Sequence, residues 1–102
     1  MSVGELAGRL GGSDAPTVLD VREAEELAIA RIDGAVHLPL GDVPARYGEL
    51  DPDVEYVVVC HHGVRSANAA GFLVANGFAR VWNLTGGIDA WAAEVDPAMA
   101  RY

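Results

Sequence analysis

The sequence predicts an α/β domain built on a largely parallel sheet, and three observations carry that expectation. Compact β-branched and aromatic runs, Thr17–Val21 and Tyr56–Val59, read as buried strands. Helix-patterned segments lie between and after them, which is the alternation a parallel sheet requires. The joints are short and rich in glycine, proline, asparagine and aspartate, residues that make turns. With 102 residues, 51% of them hydrophobic, the chain is expected to form one domain over 1–102 with a core of its own.

Taken in order, Ser2 and Glu5 have capping-box spacing, and the segment Val3–Leu10 predicts a short first helix ended by Gly11 and Gly12. Pro16 introduces the strand Thr17–Val21. Glu23–Ala28 predicts a helix whose acidic first turn complements the helix dipole. After the Asp33-Gly34 turn, Ala35–Leu38 is a short strand stopped by Pro39, and Gly41–Tyr47 a helical turn. Leu50–Asp53 is a loop into the strand that ends at Cys60. A helix from Ser66 to about Asn76 would place Ala70, Leu73 and Val74 on one packed face, with Gly77 ending it. Arg80–Leu84 is a strand, Gly86-Gly87 a turn, and Ile88–Ala93 a last helix. The tail 96–102 is expected to be loose or weakly helical.

Composition excludes several function classes. No apolar run approaches the ~20 residues of a membrane helix, and the N-terminal segment lacks the basic and apolar regions of a signal peptide. These features predict a cytoplasmic protein without a membrane partner. The formal net charge of −8 argues against nucleic acid, which needs a basic face. One cysteine rules out an intramolecular disulfide and a multi-cysteine zinc site, and no metal is expected. A small anion could be held only by a concentrated positive site. Screening over ~8 Å at physiological ionic strength lets such a site prevail over distant carboxylates.

The best candidate is the segment Cys60-His61-His62-Gly63-Val64-Arg65-Ser66. Cys60 closes a buried strand and precedes a helix, where backbone N–H groups and the helix dipole favour an anion. Ligands of open α/β sheets sit beyond the carboxyl ends of the strands, which is where Cys60 lies. A lone cysteine is ordinarily a buried structural residue. Here Gly63 allows a tight turn and Arg65 adds a fixed charge, the setting in which a thiol becomes reactive.

Four separated motifs resemble those of single-domain rhodaneses: Leu-Asp-Val-Arg-Glu from Leu19, Ile-Asp-Gly-Ala-Val-His-Leu-Pro from Ile32, the Cys60–Ser66 loop, and Leu-Thr-Gly-Gly-Ile-Asp-Ala-Trp from Leu84. The second motif departs from the family at Arg31 and Asp33, where the family often has His and Pro. The resemblance implies a rhodanese-like three-layer α/β/α domain around a mainly parallel sheet of about five strands. Loop length separates this family from related phosphatases. Cys60 to Arg65 spans six residues, and the phosphatase loop is one residue longer, wide enough to surround a phosphate. The shorter loop suits the outer sulfur of a persulfide, which disfavours phosphatase and arsenate reductase readings.

What the resemblance implies is a thiosulfate sulfurtransferase-like enzyme that works through a Cys60 persulfide with ping-pong kinetics and no cofactor. Sulfur would pass from thiosulfate or a related donor to cyanide or a thiol acceptor. The alternative is a persulfide carrier that delivers sulfur from a desulfurase to a partner protein. A purely structural interaction module would not need this spacing of thiol, arginine and glycine. The amides of His61, His62, Gly63, Val64, Arg65 and Ser66 would cradle the outer sulfur. Arg65 would orient the donor's sulfonate, or else pair with a nearby carboxylate. His61 and His62 would add charge, or be exposed loop residues. Asp20 and Arg22 fall on one side of their strand and, by the resemblance, would brace the site from beneath. His37 is read as structural, and Trp82 and Trp91 as core or pocket-wall residues. A free domain of this size is expected to be a monomer.

Overall fold

In the computed structural model, which describes residues 1–102, four parallel strands form one sheet in the order β2-β1-β3-β4. They are β1 (Thr17–Asp20), β2 (Val36–His37), β3 (Tyr56–Val59) and β4 (Val81–Asn83). The sheet thus has one strand fewer than the family resemblance implied. Helices α1 (Val3–Arg9), α2 (Ala24–Ile29), α3 (Val43–Arg46), α4 (Val64–Ala75) and α5 (Gly87–Glu94) connect and flank it, with 3-10 turns at Leu40–Asp42 and Tyr47–Glu49. β3 lies between β1 and β4, with Leu19 opposite Val58 and Val57 opposite Trp82. None of the helices is long and apolar enough to cross a membrane.

The continuous valine run of β3 follows from this position. A central parallel strand is covered on both faces, so both of its alternating side-chain sets must be apolar. Tyr56 and Val58, with Leu19 and Val21, face a core completed by Leu38, Val43, Ala69, Leu73 and Phe78. Val57 and Val59, with Val18, face a second core of Val3, Leu6, Leu84, Ile88 and Trp91. Burial of each such valine stabilises the domain by roughly 1.5–3 kcal/mol. α1 begins at the expected capping box: the Glu5 N–H donates to Ser2 Oγ, and the Ser2 N–H donates to Glu5 Oε1.

Several expectations need correction. α4 begins two residues earlier than predicted, at Val64, because Gly63 itself caps it. Its buried stripe is Ser66, Ala69, Ala70 and Leu73. Val74 is 55% exposed, off that stripe. Trp91 belongs to the second core, but Trp82 is 46% exposed. β4 is an edge strand, and the Trp82 indole N–H reaches out to Glu55 Oε2 at 2.8 Å. The tail has no regular structure, yet it is tied down: Tyr102 returns to the carboxyl end of the sheet.

Candidate active site

β3 delivers Cys60 to the carboxyl edge of the sheet, where its side chain is 1% exposed. The chain then turns sharply into α4. Gly63 has φ +108°, a left-handed conformation that glycine adopts without a steric cost. Its N–H donates to Cys60 Sγ at 3.0 Å. One turn into α4, the Ser66 hydroxyl lies 3.2 Å from the same sulfur and also contacts Asn83 Oδ1. The Asn83 amide is oriented by its other end, since Nδ2 donates to the Gly63 carbonyl at 3.0 Å. β4 therefore braces both the turn and the hydroxyl that touch the thiol.

A second clamp comes from α5. The N–H groups of Ile88 and Asp89 donate to the carbonyls of Cys60 and His61 at 2.9 and 3.0 Å. The helix start comes this close only because residue 87 is glycine. A Cβ there would stand 2.5 Å from both carbonyl oxygens. Orienting these carbonyls towards α5 leaves the loop's N–H groups on the thiol side.

The sulfur's environment opposes two effects. Burial pushes the thiol pKa up, while the Ser66 hydroxyl and the backbone N–H groups of Ser66, Gly63 and His62 pull it down. The hydrogen bonds win, and the pKa lies below its ordinary value. The sequence points to Arg65 as a further contributor to this lowering. Its charge does attract the Cys60 thiolate, but its hydrogen bonds go to Glu26, with Nη1 and Nη2 donating to the two carboxylate oxygens at 2.6 and 2.8 Å. This pair raises the Arg65 pKa and lowers that of Glu26 to about 2. Of the two roles weighed for Arg65, this structure contains the carboxylate pair.

Asp20 and Arg22 are both buried and form a forked ion pair at the carboxyl end of β1. Arg22 Nε donates to Asp20 Oδ1 at 2.9 Å and Nη2 to Oδ2 at 2.7 Å. The remaining donors reach the carbonyls of Glu26 within α2 and Ala30 just after it, and the Tyr102 hydroxyl at 2.9 Å. Arg22 thereby fastens α2, and with it Glu26, to the edge of β1. His37 Nε2 lies 2.7 Å from the Arg22 carbonyl, a structural contact.

His61 is half-buried and His62 exposed. Their rings stack at 3.9 Å, and His61 also stacks on Tyr102 at 3.9 Å and 12°. His61 Nε2 is buried without a hydrogen-bond partner. Ligand-type atoms of His61, His62 and Asp89 lie within 4.8 Å of one another, but Asp89 is paired with Arg101 at 2.9 Å. Val64, although in the loop, points outward and is 73% exposed.

Three residues of this site carry no functional signal in the sequence. Glu26 looked like part of an acidic helix start, Asn83 like an ordinary strand residue, and Tyr102 like loose tail. Glu26 and Arg65 are 39 positions apart, and Ser66 and Asn83 are 17 apart. Neither pairing leaves a local pattern to read.

The chain is 39% identical over 97 residues to the putative sulfurtransferase YtwF of Bacillus subtilis, covering 95% of this chain and 93% of that protein. It is 39% identical over 74 residues to the thiosulfate sulfurtransferase GlpE of Shewanella oneidensis, covering 72% and 73%. A rhodanese-related protein of Thermoplasma volcanium superposes with a TM-score of 0.86 at 34% identity, over 93% of this chain and 91% of that one. The Rhodanese-like domain model matches residues 2–94, and the chain belongs to that family.

Proposed function

We propose that the protein is a sulfurtransferase that carries sulfane sulfur on Cys60. The observation that supports this most directly is the hydrogen-bonding of Cys60 Sγ. A buried sulfur that accepts from the Gly63 N–H and the Ser66 hydroxyl is prepared to hold negative charge. The names of the relatives, sulfurtransferase and thiosulfate sulfurtransferase, point to the same chemistry.

In the first half-reaction the Cys60 thiolate attacks the outer sulfur of thiosulfate. A bond forms from Sγ to that sulfur, the bond to the sulfonate sulfur breaks, and sulfite leaves with the electron pair. In the second, cyanide or a thiolate takes the outer sulfur and the Cys60 thiolate is restored. The Ser66 hydroxyl has one proton and two acceptors, Cys60 Sγ and Asn83 Oδ1. It turns to the sulfur when the thiolate is present and to Asn83 when the sulfur is neutral. The loop amides then face the persulfide's outer sulfur, which carries the charge.

The test is the intact mass of wild type and Cys60→Ser after incubation with thiosulfate, then with cyanide. The expected result is a gain of one sulfur on wild type alone, discharged by cyanide as thiocyanate. No gain on folded, reduced protein would sink the thiosulfate reaction.

A further inference from the structure

The positive group expected to receive an anionic donor is already occupied by this chain's own carboxylate. Glu26 meets Arg65 through two hydrogen bonds, and it is held there from other directions. Its Oε1 accepts the Glu23 N–H at 3.1 Å, and its Oε2 accepts the Tyr102 hydroxyl at 2.7 Å. Tyr102 is itself fixed by Arg22 Nη1 at 2.9 Å and by the stack on His61. Neither Cys60 nor Arg65 lines any of the cavities in the molecule. An anion approaching Cys60 therefore meets an arginine whose charge Glu26 already neutralises, in a protein of net charge −8.

We propose that Glu26, steadied by Tyr102, is a specificity-determining residue that masks Arg65 and selects against small dianionic sulfur donors relative to donors of lower charge. The inference rests on the reading of Cys60 as the sulfur-accepting nucleophile. It makes the discrimination one of charge, because a carboxylate repels a dianion about twice as strongly as a monoanion at the same distance.

Two donors that deliver the same outer sulfur separate charge from chemistry: thiosulfate, a dianion, and methanethiosulfonate, a monoanion. With either, the Cys60 thiolate bonds to the outer sulfur, and sulfite or methanesulfinate leaves with the electron pair. No external oxidant or reductant is needed. Glu26→Gln keeps an oxygen for the Glu23 N–H and removes the charge. Its KM for thiosulfate is expected to fall about two- to fivefold, the range set by a partly exposed ion pair, with a smaller fall for methanethiosulfonate. Tyr102→Phe keeps the ring and loses the hydroxyl that steadies Glu26, so its KM shifts in the same direction by less. It carries the comparison if Glu26→Gln does not fold.

An unchanged or raised KM for thiosulfate, or an equal shift for both donors, would overturn the assignment. A raised KM would mean that Glu26 positions Arg65 for the donor. Failure of wild-type Cys60 to gain sulfur from either donor is a separate outcome: it removes the sulfur-transfer reading and this inference with it.

Discussion

Arg22 shows how much a single side chain can hold when no solvent reaches it. It and Asp20 are 0% and 1% exposed, and every guanidinium nitrogen has a partner within the chain. A buried ion pair is seldom worth more than the apolar residues that could replace it, but breaking one strands a charge. Arg22→Ala leaves the Asp20 carboxylate buried and also removes the donors to the Glu26 and Ala30 carbonyls. A loss of about 3–5 kcal/mol is expected, read from the urea midpoint. The double variant Asp20→Ala/Arg22→Ala should lose less than the two single losses added together, because no charge is left unpaired. Full additivity would mean that the pair's partners matter and its charges do not. If Arg22→Ala is as stable as wild type yet inactive, the bracing role is wrong.

At the level of elements, the site is a junction of two helix starts on one strand end. Gly63 caps α4 and Gly87 opens α5, and each helix start supplies N–H groups to the loop between β3 and α4. Gly87→Ala places a methyl group 2.5 Å from two backbone carbonyls, at φ +61°. Neither carbonyl can move without releasing α5, so the substitution should cost about 2 kcal/mol or more. It should also slow Cys60 alkylation or sulfur loading in protein that remains folded, a paired readout by urea titration and mass spectrometry. Normal stability with normal loading would show that the α5 clamp is dispensable. This junction was largely legible in the sequence, because a β-branched run, a cysteine and two glycine turns are local signals. What escaped was set by edges and distance. Trp82 looked like core because aromatic residues in strands usually are, but β4 lies at the sheet edge and its indole turns out to Glu55. Val74 fits the helical period but falls outside the small-residue stripe on which α4 packs. Glu26, Asn83 and Tyr102 join the loop through tertiary contacts, which no periodicity encodes.

For the molecule as a whole, these carboxylate pairs set how stability responds to acid. Glu26 and Glu55 are each lowered from an ordinary value of 4.5 to about 2, first by hydrogen bonds from Arg65 and from Arg9 respectively. The Arg9 pair spans the far end of the sheet, at the start of β3, so both ends carry one such link. A carboxyl whose folded pKa is depressed binds its proton more readily in the unfolded chain. Its stabilisation is complete above 4.5 and is lost as pH falls towards about 2. Each pair is partly exposed, with Arg65 at 35% and Glu26 at 18% side-chain exposure, so solvent screening keeps each contribution modest. The urea midpoint should therefore hold level with respect to these groups down to pH 4.5 and decline between 4.5 and 2. Glu26→Gln and Glu55→Gln should each flatten that decline while lowering the midpoint at neutral pH. If a variant lowers the neutral midpoint and leaves the acid decline as steep as in wild type, its carboxylate is not one of the groups whose protonation destabilises the fold.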